Sequence, residues 1–236
     1  MAGEMEFEKI ENKTLRQKVY EQLKEKMITA EILPGEHITL RNLAERLGVS
    51  LMPVREALWQ LESEGAVVIE ANKRMRVNNL TVEDVQEILN IRLNLEIMAA
   101  KMACDLRPES SLRELERTLK TLRASERKPE AYLKANRHYH FTIYRMAQAP
   151  ILLDLIGRLW IRFGPYIYLV TRKSDDIVLS NDYHETIFEA IKTRNKASIG
   201  KGIRHDLENS ARVVTSLLGS YGSIPDVPAL KTINGF

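Results

Sequence analysis

The chain has 236 residues, 44% hydrophobic and 28% charged, with 35 Lys+Arg against 32 Asp+Glu and a net charge of +3. That composition allows a sizeable core, fits two domains and excludes a disordered polyelectrolyte. Any attraction to phosphate must come from a local patch, because residues 1–80 hold 12 Lys+Arg against 13 Asp+Glu.

In chain order, the first helix is expected from about Thr14 to Ala30, with Val19, Leu23, Met27 and Ile28 inward and the Pro34-Gly35 turn as its stop. Leu40, Leu43, Ala44 and Leu47 then recur at helical spacing and end at Gly48. After a tight turn, Ser50 stands as N-cap of a second short helix that admits Pro53 in its first turn and carries Val54, Ala57, Leu58 and Leu61 on one face. The period then changes. Val67 to Ile69 and Met75 to Val77 read as two strands joined by a turn over Ala71 to Arg74, with Asn72 able to take positive φ. Residues 39–77 therefore read as a winged helix-turn-helix, which places one helix in the major groove and a wing on neighbouring phosphates. Arg41, Ser50, Leu51, Met52, Arg55, Lys73 and Arg74 are the expected DNA-facing residues, with Arg76 as a further wing cation. Ordinary solvated surface charges on an interaction module are the alternative reading of these cations.

From Thr81 the pattern is helical. Thr81 with Asp84 forms a capping-box start for a helix to about Leu106. Further helices are expected over 111–127, 130–148, 151–172 with a break at Gly164-Pro165, 179–193 and 196–218, giving an antiparallel bundle. The fold class is mainly α: a DNA-binding domain at 8–78, a helical effector-binding and dimerisation domain at 79–218, and a flexible tail at 219–236. The lone Cys104 rules out an internal disulfide framework. No apolar run reaches the length of a membrane span, and the acidic start MAGEMEFEKIENK has no signal-peptide core, so a cytoplasmic location is expected.

Polar residues fall on faces of the bundle helices that should be apolar. Arg92 shares a face with Val85, Ile88, Leu95, Ala99 and Met102, and Glu96 follows it by four. A guanidinium there either pairs with Glu96 or receives a ligand carboxylate through its planar fork. Asn136 and His140, spaced i and i+4, line up with Leu133, Ile143, Tyr144 and Ala147, and His184 lines up with Ile187, Phe188 and Ile191. His205 follows a small polar row, Ser198, Gly202 and Asn209, beside the main apolar row of its helix. His138 and His37 show no such alignment. Two inward imidazoles and an amide in one bundle point to a shared polar site.

These segments resemble the GntR family of bacterial transcription regulators, in the FadR branch with an FCD-type C-terminal domain, over roughly residues 12–218. The segments concerned are ILPGEHI, LAERLGVS, PVREALWQLESEG, IRLNLEIMAAKMA, NRHYHFTIYRMA, HETIFEAI and RHDLENS. The resemblance implies a homodimer that binds double-stranded DNA at a palindromic operator and responds to a small carboxylic-acid effector in the bundle. It further implies that the effector loosens, or sometimes tightens, DNA binding, and a repressor is the expected reading; Arg92 is placed in the effector pocket, and Asn136, His140, His184 and His205 at the positions where metal-binding members hold a divalent ion, here zinc, nickel or manganese. The same five residues are the expected effector site.

Three departures from the family pattern stand out. Asn136 replaces an aspartate, which should lower metal affinity. Leu51-Met52 replaces a commoner Arg-Thr, which should alter operator preference through apolar contact with thymine methyls. Ala149-Pro150 replaces Asn-Pro, a change confined to a helix cap. Two other readings remain at this point: the metal is itself the effector, or the bundle is a metal-dependent enzyme fused to a DNA-binding domain.

Overall fold

The computed structural model describes residues 14–70, 74–126, 128–173 and 182–221. The N-terminal part is α1 (Leu15–Ile28), β1 (His37–Ile38), α2 (Leu40–Leu47), α3 (Leu51–Ser63), β2 (Val67–Ile69) and β3 (Met75–Val77). Thr14 and Thr39 cap α1 and α2 by accepting the backbone N–H groups of Gln17 and Asn42. Gly48, at φ 64°, ends α2 in the left-handed region and makes the tight turn between the two helices. Ser50 occupies the N-cap of α3 without a side-chain capping bond. Val19, Leu23, Met27, Leu43, Val54, Leu58 and Leu61 meet in one core closed by Val67, Met75 and Val77 of the wing.

The wing has a strand that periodicity did not show. β1 pairs antiparallel with β3, placing His37 opposite Arg76, and β2 pairs with the other edge of β3, placing Val68 opposite the same Arg76. A two-residue strand is too short to generate an alternation signal. The wing-tip turn at Ala71, Asn72 and Lys73 lies outside the described residues.

The bundle comprises α4 (Val82–Leu106), α5 (Glu109–Ala124), α6 (Pro129–Met146), α7 (Pro150–Lys173), α8 (Asp182–Lys192) and α9 (Lys196–Tyr221). Thr81 and Asp84 form the reciprocal capping box at the start of α4. Among the described residues no helix is long and apolar enough to cross a membrane. Two expectations are corrected. α7 runs unbroken through Gly164 and Pro165. A proline inside a helix costs ~3 kcal/mol, but Ile161, Phe163, Tyr166, Tyr168 and Val170 are all buried around it. Each such burial contributes ~1.5–3 kcal/mol, which holds the helix through the break. α9 likewise continues past Gly219 to Tyr221, and residues 222–236 of the expected tail lie outside the described residues.

The two parts meet along α7. Ile161 completes the core of the winged part. Gly164 stands so close to α1 that a Cβ there would come within 3.2 Å of Ile28 Cγ2. Tyr166 Oη accepts the Leu80 backbone N–H at 2.6 Å, and Arg137 of α6 pairs with Glu25 of α1 at 3.1 Å.

Candidate functional site

Three helices of the bundle deliver polar side chains to one point. α6 presents Asn136 and His140, one turn apart; α8 presents His184; α9 presents Asp206. The His140 and His184 Nε2 atoms lie 3.2 Å apart, and Asp206 carboxylate oxygens lie 3.3 Å from His140 Nε2 and 3.6 Å from His184 Nε2. Asn136 Oδ1 lies 3.0 Å from His184 Nε2. Both imidazoles are fully enclosed, at 0% and 1% exposure, whereas Asn136 and Asp206 are partly open and form the accessible side.

His205 does not belong to this set. It is exposed and stacks on Tyr183, with ring centroids 5.8 Å apart. One residue is about 100° around a helix, so the inward position falls to Asp206, three residues after buried Ile203 and seven after buried Ile199. The same fact bears on the charge argument behind the expected loss of metal affinity. The carboxylate missing at Asn136 is supplied from α9.

The spacing of these atoms fits a divalent cation. Ligands ~2.0–2.1 Å from one ion are separated by ~3.0–3.4 Å, depending on whether they subtend octahedral or tetrahedral angles. Three of the separations observed here, 3.0, 3.2 and 3.3 Å, fall within those polyhedral edges, and the 3.6 Å between His184 and Asp206 is slightly longer. Burial, against the opposing pull of Asp206, lowers the His184 pKa to about 4, so this imidazole is neutral and has a lone pair to give. Burial works against the charge on Asp206, but the two facing histidines outweigh it and bring its pKa down to about 2. Two imidazole nitrogens, an amide oxygen and a carboxylate suit borderline metals better than calcium or magnesium.

Behind His140 lies a second layer. His140 Nδ1 is 3.2 Å from Tyr144 Oη, and that hydroxyl donates to Glu96 Oε2 through a short bond. Glu96 Oε1 accepts from Arg92 Nε at 2.6 Å and from Trp160 Nε1 at 3.1 Å. The Arg92 guanidinium is sandwiched between the Trp160 and Phe163 rings, 4.9 and 4.8 Å from their centroids. Arg92, 4% exposed, is therefore engaged by Glu96 and two rings, the ion-pair reading of the sequence. Glu96 is fully buried and joins α4, α6 and α7; nothing in the sequence pairs it with Trp160, 64 residues away.

The residues expected to face DNA lie on the other part. Arg41 is exposed on the first turn of α2, and Leu51 and Met52 are 43% and 53% exposed on the first turn of α3. Arg55 follows on the same face, half-buried, with Nη1 3.9 Å from Met52 Sδ, and Trp59 extends the row at 51% exposure. Arg74 is exposed at the base of the wing. Arg76 pairs with Glu70 at 3.1 Å across the hairpin, and Lys73 lies outside the described residues.

Comparison with known proteins agrees with both halves. Residues 15–77 match the family of bacterial regulatory proteins, gntR family, and residues 87–209 match the FCD domain. The chain belongs to the GntR family, with an FCD domain. It is 31% identical over 204 residues to the HTH-type transcriptional regulator McbR of Escherichia coli, an alignment covering 84% of this chain and 90% of that protein. It is 28% identical over 205 residues to the regulator YdhC of Bacillus subtilis, covering 83% and 90%. The solved structure of E. coli McbR/YncC superposes with a TM-score of 0.82 at 27% identity over 87% of this chain and 99% of that one. These relatives are DNA-binding transcription regulators rather than enzymes, so the metalloenzyme reading is set aside.

Proposed function

We propose that this GntR-family regulator is a cytoplasmic repressor that binds a palindromic operator as a homodimer and is released by a small carboxylic-acid effector. In this reading residues 8–78 form the DNA-binding unit and 79–218 the effector and dimerisation unit. The observation that carries it is the enclosed cluster of His140, His184, Asp206 and Asn136, open on one side only and joined through Glu96 to the helix on which the winged part rests. One winged domain reads one half-site, so a two-fold operator calls for two copies related by the same symmetry.

His140, His184, Asp206 and Asn136 would hold the metal. When bound, the ion supplies a Lewis-acidic point at which an effector carboxylate oxygen is held. Asn136 and Asp206 flank the accessible side and orient what enters. Arg92 acts from behind, its charge answered by Glu96 and contributing to the low pKa of Asp206. Effector binding then favours one arrangement of the bundle on α7 over another, and the differential affinity for those arrangements sets the change in operator binding.

A second reading is favoured by the number of donors. Four protein ligands complete a tetrahedral site, so zinc would leave no place for a carboxylate and would itself be the effector, whereas octahedral nickel or manganese leaves positions open. Both readings are tested together. A duplex selected from a randomised library is titrated with metal-free protein, then with zinc, nickel or manganese, and then with a panel of small carboxylates. Release by carboxylate only in the metal-loaded protein supports the first reading; release by metal alone supports the second. Operator affinity indifferent to every addition overturns both.

A further inference from the structure

We infer that Glu96, acting through Tyr144, is a positioning residue that fixes a proton of His140 on Nδ1 and so turns Nε2 toward Asp206 and His184. The argument is one of proton order. Glu96 Oε1 is already met by two groups that can only donate, Arg92 Nε at 2.6 Å and Trp160 Nε1 at 3.1 Å. Its other oxygen receives the Tyr144 hydroxyl proton. A hydroxyl has one proton, so with that proton committed to the carboxylate, Tyr144 Oη faces His140 Nδ1, 3.2 Å away, with lone pairs only. Nδ1 must therefore be the donor. The nitrogen left for the cluster is Nε2, the atom that stands 3.2 Å from His184 Nε2 and 3.3 Å from Asp206.

The arrangement holds because its members are closed to water: Glu96, His140 and Tyr144 are 0%, 0% and 1% exposed. Their burial keeps bulk solvent from exchanging the proton directly. Three helices supply the chain, Glu96 from α4, His140 and Tyr144 from α6, and Trp160 from α7, so the orientation of the imidazole is set by the packing of the bundle. A metal-binding histidine commonly owes its tautomer and ring orientation to such an outer partner, whose loss costs about 10–100-fold in affinity. The consequence for metal rests on the reading of the cluster as a cation site, but the proton order does not.

Glu96→Gln is the decisive variant. Its carbonyl oxygen must face Arg92 and Trp160, because neither can accept, so its amide NH2 faces Tyr144. That group donates to Tyr144 Oη, the hydroxyl proton turns to His140 Nδ1, and the ring is left with its proton on Nε2. Nitrogen-15 NMR of histidine-labelled, metal-free full-length protein reads this directly. The expected result is a protonated Nδ1 on His140 in the wild type and a bare Nδ1 in Glu96→Gln. Competition of each protein with a chromophoric chelator for zinc should show a loss of at least tenfold for Glu96→Gln. Tyr144→Phe, which keeps the ring, should give a smaller loss with His140 tautomers mixed. A bare Nδ1 in the wild type, or an unchanged tautomer in Glu96→Gln, overturns the inference. Zinc binding by neither protein would instead count against the cluster as a cation site, while the NMR comparison still decides the proton order.

Discussion

Gly202 of α9 faces Ile187 of α8 so closely that a Cβ at position 202 would stand 2.7 Å from Ile187 Cγ1. Ile187 lies one turn beyond His184, and Gly202 lies one turn before Asp206. The separation of these two helices therefore sets the 3.6 Å between His184 Nε2 and the Asp206 carboxylate.

Gly202→Ala is expected to push α8 from α9. Overpacking a filled core costs ~1–3 kcal/mol, and the helix preference of Ala over Gly offsets ~1 kcal/mol of it. Thermal melts should show a modest loss of stability, and zinc competition should show a larger loss of metal affinity. Unchanged affinity would mean that the two helices do not set the geometry of the cluster.

Stability should depend on pH through His184. Its pKa is about 4 in the folded chain against an ordinary 6.5, so the unfolded chain binds the proton more readily between those values. The stabilising contribution is complete above pH 6.5 and is lost as pH falls toward 4. It amounts to about 3 kcal/mol at most. Denaturant titrations at pH 7.5, 5.5 and 4.5 with chelator present should show this decline, and His184→Gln should flatten it. Asp206, lowered from 3.8 to about 2, adds a further loss only below pH 3.8.

Breaking the buried ion pair should be costly. Arg92→Leu leaves the Glu96 carboxylate enclosed without its cation, and removal of one partner of such a pair costs ~3–5 kcal/mol. Because Arg92 is held by Glu96, Trp160 and Phe163, the expected effect is on the melting temperature more than on effector affinity. A stable Arg92→Leu protein that loses effector response would instead make Arg92 a ligand-contacting residue.

Leu51 and Met52 give the recognition helix a test by single methyl groups. Both are exposed on the first turn of α3, so α3 lying in a major groove would bring them against thymine C5-methyls. Replacing thymine by uracil at half-site positions of the selected duplex should weaken binding in the wild type and have little effect on Leu51→Ala/Met52→Ala. Arg55→Ala should abolish specific retention and reduce the dependence of affinity on salt. Equal retention of the uracil duplex would show that these two side chains do not read methyl groups.

The helices of both parts are legible because their apolar periods recur and several of their ends are explicit, Gly48 and Thr81 with Asp84 among them. His140 and His184 were legible for a related reason: an imidazole on an apolar stripe must point inward. Asp206 carries the same signal, three residues beyond Ile203, but the family resemblance implies a histidine ligand, and His205 stands one position away. The break expected at Pro165 failed because a local rule yielded to tertiary burial. The contact between Glu96 and Trp160 had no local signal, since it depends on how α4 and α7 cross. β1 escaped because two residues define no period.

Five consecutive residues of α7 serve both parts of the protein. Trp160 bonds Glu96, Ile161 fills the winged core, Arg162 packs on Gly65, Phe163 covers Arg92, and Gly164 admits Ile28. The two halves of the protein are thus not interchangeable cassettes. A chimera that joins this winged part to another regulator's bundle must import the register of α7 as well, and a substitution selected to admit a new effector near Trp160 will be felt one residue later inside the part that holds the DNA.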